Sequence, residues 1–459
     1  LINFFAVHNI DFNKAWKAKQ SGWHDQTRAI FANAEIGWKS MIYLTATGRN
    51  DWDSRLAFSD YKSFFYPSIG LSAILTSMFN APDWLTYLKV RGSYTEVGNS
   101  YGRFMTTVTY PYDEQTQSWT STSSYPNTKL KPERTKSWEV GLDARILNDI
   151  SLNLTYYRSN TYNQTFYADL SLSSGYSNIP IQSGNIMNEG LEMSLGYNKQ
   201  WKDFSFNTNY TLTWNKNRVK RLADGVYNYA TGQPIQMPEL SPLTYGHTDA
   251  RLILRVGGSM GDVYGQRLLK RDLNGYILNE EGVGLAMENK ETYLGSILPK
   301  MNMGWSLGFG YKGVNLGMTF TGRFGGIVIS ETQSVLDAAG VSKVSADVRD
   351  AGGVQINQSK VSAQTYYQTI QGTAAYYTYS ATNVRLGELS LSYTLPKKWF
   401  DNKVGMTVGL VGKNLWMIYC KAPFDPELTT SAASNFYQGF DAYMLPSTRN
   451  FGFNVKFQF

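Results

Sequence analysis

The chain has 459 residues, 17% of them charged and 15% aromatic, with one cysteine and a net charge of +7. Its mean hydropathy is −0.34, and nothing approaches the ~18 consecutive apolar residues of a membrane helix, which excludes helical spans but not strand spans. Lys and Arg are scattered without a long basic run, which argues against nucleic-acid binding, and the lone Cys420 excludes an internal disulfide framework.

Segment 1–25 shows no alternation and is expected to be the remnant of an extracellular loop. It opens on Leu1-Ile-Asn-Phe-Phe without an initiating Met or a signal peptide, so the chain reads as processed or as a fragment. From residue 26 onward the pattern has a period of two, the mark of strands with one apolar and one polar face. Thirteen spanning strands are predicted. The first eight cover 26–38, 41–52, 64–78, 85–98, 132–147, 150–162, 181–198 and 203–216. The rest cover 301–311, 313–323, 384–395, 403–416 and 446–459. In one of them Met301, Met303, Trp305, Leu307, Phe309 and Tyr311 alternate with Asn302, Gly304, Ser306, Gly308 and Gly310. After the turn at Lys312-Gly313, Val314, Leu316, Met318 and Phe320 do the same. The last strand carries Phe451, Phe453, Val455, Phe457 and Phe459 on one face and Gly452, Asn454, Lys456 and Gln458 on the other. An aromatic strand ending on the final residue would aggregate as a soluble edge. It is similar to the C-terminal signal of bacterial outer-membrane barrels, which nominates Gly452, Val455, Phe457 and Phe459 for assembly.

Two further patterns separate a membrane barrel from a soluble sandwich. Short turns fall near 38–41, 79–84, 147–150, 199–203, 311–313 and 395–402, and long connections at 99–131, 217–300, 324–382 and 417–445. Short turns on one side and long loops on the other describe an outer-membrane barrel. Seven of the twelve Trp lie at strand ends: Trp38, Trp84, Trp201 and Trp399 at the short turns, and Trp52, Trp214 and Trp416 opposite. Two interfacial girdles require this placement. The fold class is therefore all-β, a transmembrane antiparallel β-barrel. Barrels of one chain have even strand numbers, so an odd count whose last strand runs to the periplasm implies strands upstream.

Several segments resemble the SusC-like (RagA-like) TonB-dependent transporters of Bacteroidetes outer membranes. They include Tyr43-Leu-Thr-Ala-Thr-Gly-Arg-Asn-Asp51, Tyr66-Pro-Ser-Ile-Gly-Leu-Ser-Ala73 and Leu130-Lys-Pro-Glu-Arg-Thr-Lys-Ser-Trp-Glu-Val-Gly-Leu142. Gly184-Asn-Ile-Met-Asn-Glu-Gly-Leu-Glu192, Val384-Arg-Leu-Gly-Glu-Leu-Ser-Leu-Ser-Tyr-Thr-Leu-Pro396, Gly412-Lys-Asn-Leu-Trp416 and Pro423-Phe-Asp-Pro-Glu427 continue the series, and the likeness runs over 26–459. Such transporters close at ~22 strands around a plug, so about nine strands and the plug domain are expected to lie outside this chain. The resemblance implies active import of oligosaccharide or peptide. It also implies a SusD-like surface lipoprotein as lid, and energy from the TonB complex acting through an N-terminal part. The alternatives are a siderophore- or vitamin-type TonB-dependent receptor, or an adhesin or structural β-protein without transport.

Catalytic and cofactor chemistry is not expected. His8, His24 and His247 lack metal-ligand spacing, and Cys420 lacks a partner motif. Asp272-Leu-Asn-Gly-Tyr276 hints at a calcium loop but reads better as a hairpin turning on Asn274-Gly275. The acid pair Glu280-Glu281 lies in the same loop. What remains is surface chemistry. Tyr227, Tyr229 and Tyr245 lie in the 217–300 loop, and Tyr366, Tyr367, Tyr376, Tyr377 and Tyr379 precede Val384. Phenol rings stack on sugars and donate to hydroxyls or peptide carbonyls. Tyr376, Tyr377 and Tyr379, nearest the strand start, are the candidate ligand contacts. The bland reading is loop packing.

Overall fold

A computed structural model describes residues 22–459, except 114–117, 121, 183, 228–231, 238, 274, 283, 402, 429 and 431–434. His8, Tyr229 and nearly all of segment 1–25 lie outside the described residues, as does the side chain of Tyr227. Thirteen strands form one sheet in which each pairs with its sequence neighbour in the wall. They are β1 Thr27–Trp38, β2 Ile42–Asp53, β3 Phe64–Ile74, β4 Leu85–Asn99, β5 Glu133–Ile146, β6 Ile150–Tyr162 and β7 Asn185–Trp201. β8 Phe204–Arg221, β9 Met301–Tyr311, β10 Val314–Phe324, β11 Asn383–Thr394, β12 Gly405–Cys420 and β13 Asn450–Gln458 complete it. All pairings in this sheet are antiparallel. Among the described residues β1 pairs only with β2 and β13 only with β12, so the sheet is open at those two edges.

The register carries the alternation around the wall. One row runs Ile36, Leu44, Leu71, Gly92, Val140, Tyr156, Leu191, Trp214 and Met301 across β1 to β9. Another runs Phe206, Phe309, Leu316, Leu391, Leu410 and Phe453 across β8 to β13. These side chains stand open: Ile36 is 66% exposed, Leu410 59% and Phe453 69%. A continuous apolar band of this size is unstable in water and needs a lipid neighbour. The opposite parity is polar and internally bonded. Arg91 forms an ion pair with Asp143 at 3.1 Å and donates to Thr155 at 2.6 Å. Asn153 donates to the same Asp143. Hydroxyl pairs Ser68–Thr95 and Thr135–Thr161 bridge neighbouring strands at 3.0 and 2.9 Å. This face lines the lumen.

The short-turn side is built from tight reversals. At Lys312-Gly313 both residues have positive φ, 46° and 88°, the geometry of a type I′ hairpin. A Cβ on Gly313 would meet the Thr394 carbonyl at 2.8 Å, so glycine is required there. Eleven tryptophans lie among the described residues, and every one is exposed. Trp214 and Trp416, expected at strand ends, stand inside β8 and β12, as Trp138 and Trp305 stand inside β5 and β9, so the girdles are less sharply confined than the seven terminal positions predict.

Strand bounds depart from expectation at several places. β3 stops at Ile74, where a 3₁₀ turn, Leu75–Ser77, takes over. β7 starts at Asn185, because Asn178–Gln182 pairs instead with Thr165–Asp169 in a separate hairpin. β8 continues to Arg221 and β12 to Cys420, so the long connections start later than 217 and 417. The largest departure is that these connections are structured. The β8–β9 connection holds a four-stranded sheet of Glu239–Thr244, Ala250–Arg255, Asp262–Leu269 and Met287–Ser296. The β10–β11 connection holds three helices, α1 Glu331–Ala338, α2 Lys343–Asp350 and α3 Ala363–Ile370. Ser330, Ser342 and Ser362 cap them by accepting the N–H groups of Gln333, Ser345 and Thr365.

Candidate functional site: the crown above the barrel wall

Three of the four long connections, β8–β9, β10–β11 and β12–β13, fold onto one another as a single crown. Strand Ile327–Ser330 lies between Thr378–Ser380, antiparallel, and Phe440–Asp441, parallel. The β10–β11 and β12–β13 connections thus share a small sheet. The β8–β9 connection is tied in by Asp249, whose N–H donates to the Gly372 carbonyl at 2.9 Å and whose carboxylate accepts from Ala374 N–H at 2.6 Å. Tyr245, fully buried, donates to the Phe436 carbonyl at 2.7 Å. One apolar cluster draws Phe166, Ile179, Leu252, Ile329 and Phe440 from four separate connections. Burial of this extent makes the crown a packed body rather than a set of independent loops.

A buried ionic clamp fixes the crown to the wall. Arg385 on β11, 8% exposed, forks onto Asp425 with two hydrogen bonds of 2.8 and 2.9 Å. Its Nε and Nη2 also donate to Asn383 Oδ1, and Glu427 stands 3.3 Å away. Asn383 in turn donates to Glu427 at 3.1 Å. Burial alone would raise the Asp425 carboxyl. The Arg385 hydrogen bonds and charge outweigh it and hold the group below the usual carboxylate range. Two of the segments that carry the family resemblance, one starting at Val384 and one at Pro423, are thus the two halves of one contact. No linear pattern pairs them, since their juxtaposition depends on how the β12–β13 connection folds back.

The three candidate tyrosines separate. Tyr377 is 1% exposed, inside a cluster with Tyr366, Tyr367 and Ile370, and offers no free ring face. Tyr379 is half-buried in the small sheet, its ring edge-on to Phe424 at 5.7 Å. Tyr376 alone borders open space, a cavity of about 590 Å³ also lined by Tyr276, Lys270, Arg271 and Glu288. The Arg271 guanidinium lies 4.2 Å from the Tyr276 ring centre. Tyr366 and Tyr376 hydroxyls are 3.3 Å apart, and burial pushes the Tyr376 phenol up, so it stays a neutral donor at physiological pH. Two aromatic rings beside cations and one carboxylate suit a ligand with flat faces and polar groups of both signs. Lys270, Arg271 and Tyr276 were not among the sequence candidates, because nothing in the linear pattern brings that hairpin to Tyr376.

The remaining chemistry-bearing residues do not converge. His24 precedes β1 and His247 sits in a crown turn. Among the described residues no group of three or more His, Cys, Asp or Glu could hold a metal. Cys420 makes weak contacts to the carbonyls of Ala422 and Phe424 at 3.5 and 3.6 Å. The Asp272–Tyr276 segment is a hairpin, with Asp272 opposite Gly275. Gly275, expected in the turn, lies instead on the second strand, and Asn274 lies outside the described residues. Glu280 and Glu281 are exposed. At the wall's free edge, Gly452, Val455 and Phe457 lie on β13, with Phe459 immediately after it, 96% exposed.

The profile of the family described as TonB dependent receptor-like, beta-barrel, matches residues 7–415. The chain belongs to that family. It is 25% identical over 468 residues to TonB-dependent receptor P3 of Formosa agariphila, covering 94% of this chain and 45% of that protein. It is also 25% identical over 217 residues to TonB-dependent receptor SusC of Bacteroides thetaiotaomicron, covering 47% of this chain and 19% of that one. A solved structure of the RagAB peptide transporter shares the fold, with a TM-score of 0.72 and 19% identity over 99% of this chain and 50% of that one. The chain therefore spans about half the length, or less, of the relatives it matches. As a TonB-dependent receptor barrel of the SusC-like kind, it is an outer-membrane protein whose strands cross the bilayer with the apolar band outward.

Proposed function

We propose that this chain forms the C-terminal part of the barrel wall, and the extracellular crown, of an importer that carries oligosaccharide or peptide across the outer membrane. A SusD-like lipoprotein would close over the crown. TonB, acting through the N-terminal part of the longer polypeptide, would supply energy to move a plug. No catalytic step is assigned to the chain. The observation that carries the reading is the join of an apolar-faced wall to a packed crown, in a chain similar to SusC over part of its length. A bare pore has no need of an ordered body of this size above it. Within the crown, ligand contact is assigned to Tyr376 and its cavity neighbours.

The test is growth and uptake. A strain lacking the gene should lose uptake of one labelled substrate class, oligosaccharide or peptide, and lose it again when TonB is deleted. Unchanged uptake of both classes, with the protein present in the parent outer membrane, would refute importer function.

A further inference from the structure

The lipid-facing parity changes character near the top of β5 to β8. Its aromatic residues there are Trp138 of β5, Tyr156 of β6 and Trp214 of β8, with the first two rings 5.4 Å apart. One or two side-chain steps nearer the crown, on the same parity, stand Lys136 and Arg134 of β5, Arg158 of β6 and Lys216 of β8. The register places them shoulder to shoulder: Trp138 opposes Arg158, Arg158 opposes Glu189, and Glu189 opposes Lys216. By this register Arg158 and Lys216 stand level with Trp138 and one side-chain step, about 7 Å at ~3.4 Å per residue, above Tyr156 and Trp214, with Lys136 one step higher again.

Charge does not balance within this belt. Glu96 takes Arg134 at 3.1 Å and Lys136 at 3.3 Å, and also accepts from Tyr94. Glu189 lies 3.9 Å from Lys216. Four cations thus face two carboxylates, and Arg158 has no ion pair among the described residues. At the tops of β10 and β11 the same face carries Phe324 and Val384 instead, and the top of β1 carries the single Arg28, so the cluster of cations belongs to the β5–β8 arc. A soluble protein approaching from above meets the crown, whereas these side chains point sideways into the leaflet.

We infer that Lys136, Arg158 and Lys216, with Arg134 behind them, bind the phosphate groups of a glycolipid of the outer leaflet. The aromatic residues below pack against its acyl chains. A guanidinium fork and nearby ammonium groups match phosphate oxygens, and in the interfacial layer such contacts are only partly screened. The lipid would act as a fixed collar on this arc of the wall. The site needs neither lid nor nutrient, so its failure would leave the importer reading untouched.

The experiment uses the full-length transporter, extracted in mild detergent and followed by native mass spectrometry with added lipid A, phosphorylated or dephosphorylated. The wild type should retain phosphorylated lipid A through detergent exchange and should not retain the dephosphorylated form. The triple variant Lys136→Gln, Arg158→Gln, Lys216→Gln should retain about tenfold less, the scale of losing charge-assisted hydrogen bonds. Lys89→Gln, on the lumen parity, should retain as much as wild type. Heat-modifiable gel migration reports that each variant has folded. Equal retention by the wild type and the folded triple variant, or retention indifferent to the lipid phosphate, would overturn the assignment. Displacement by millimolar inorganic phosphate would show a free-anion site and would also overturn it.

Discussion

Arg385 shows how much one side chain decides. Its guanidinium is almost wholly buried, and its charge is met by Asp425 and Glu427 from the β12–β13 connection. Arg385→Ala would leave two carboxylates without their cation, and breaking a buried pair costs about 3–5 kcal/mol. The expected outcome is protease sensitivity near 421–449 while the wall stays folded, checked by limited proteolysis of outer-membrane preparations. The same clamp predicts a pH dependence. Asp425 titrates lower in the folded protein than in the unfolded chain, so its contribution is fully present above the unfolded carboxylate value. It is lost as pH falls through the lower folded value. Acid should therefore loosen this connection only below the ordinary carboxylate range. Loosening already between pH 5 and 7 would show that another group controls it.

The tyrosines divide at the same scale. Tyr377→Ala removes a ring buried among Tyr366, Tyr367 and Ile370, at a cost of about 3–5 kcal/mol, as for other buried aromatics. It should lower the yield of folded protein. Tyr376→Ala borders the cavity and should lower ligand affinity with less effect on yield. Isothermal titration against the substrate class found by uptake separates them. Unchanged affinity for Tyr376→Ala would make that ring a packing residue like its neighbour.

At the scale of elements, the register makes parity testable. Phe309 stands in the apolar row beside Phe206 and Leu316, and Met318 beside Leu307 and Leu389. A lysine at Met318, mid-strand, would cost ~2–4 kcal/mol, and one at Phe309, closer to the Lys312-Gly313 turn, less than that. Thr319, one residue from Met318, lies opposite Ser306 on the polar face, and Thr319→Lys should insert normally. Outer-membrane levels of the three variants check this, and equal levels would contradict the register. Gly308 is a less forgiving lumen position, because a Cβ there would sit 2.5 Å from the Asn207 amide. The terminal strand gives a second element-level prediction. β13 pairs along its whole length with β12 and ends beside the aromatic Phe459. Deleting 457–459 should abolish membrane insertion, and normal levels of the truncated protein in washed outer membranes would refute the assembly role.

For the whole molecule, the crown and the short turns lie at opposite ends of the wall, so a lid can engage only one of them. Cross-linkers placed at the exposed Leu273 and Leu336 in the crown should capture the lipoprotein, and the same chemistry at Trp201 or Lys398 should not. Capture at the short turns would invert the orientation.

What the sequence settled by itself was the wall. A period of two is a local property, imposed by alternating side-chain direction. All thirteen strands, their order and the two unequal ends could be read from it, because consecutive strands pair with each other and lipid demands one apolar face. Strand limits near bulges and 3₁₀ turns were less legible, since hydrogen bonding rather than alternation ends a strand there. The crown was not legible. Its helices and small sheets are stabilised by contacts between connections far apart in the chain, such as Tyr245 with Phe436 and Ser330 with Asp441. Tertiary structure alone decided which tyrosine meets open space, joined Arg385 to Asp425, and set Arg158 and Lys216 on either side of Glu189 on the outer arc. Each of these depends on residues that the register or a returning loop brings together, and no linear pattern carries that information.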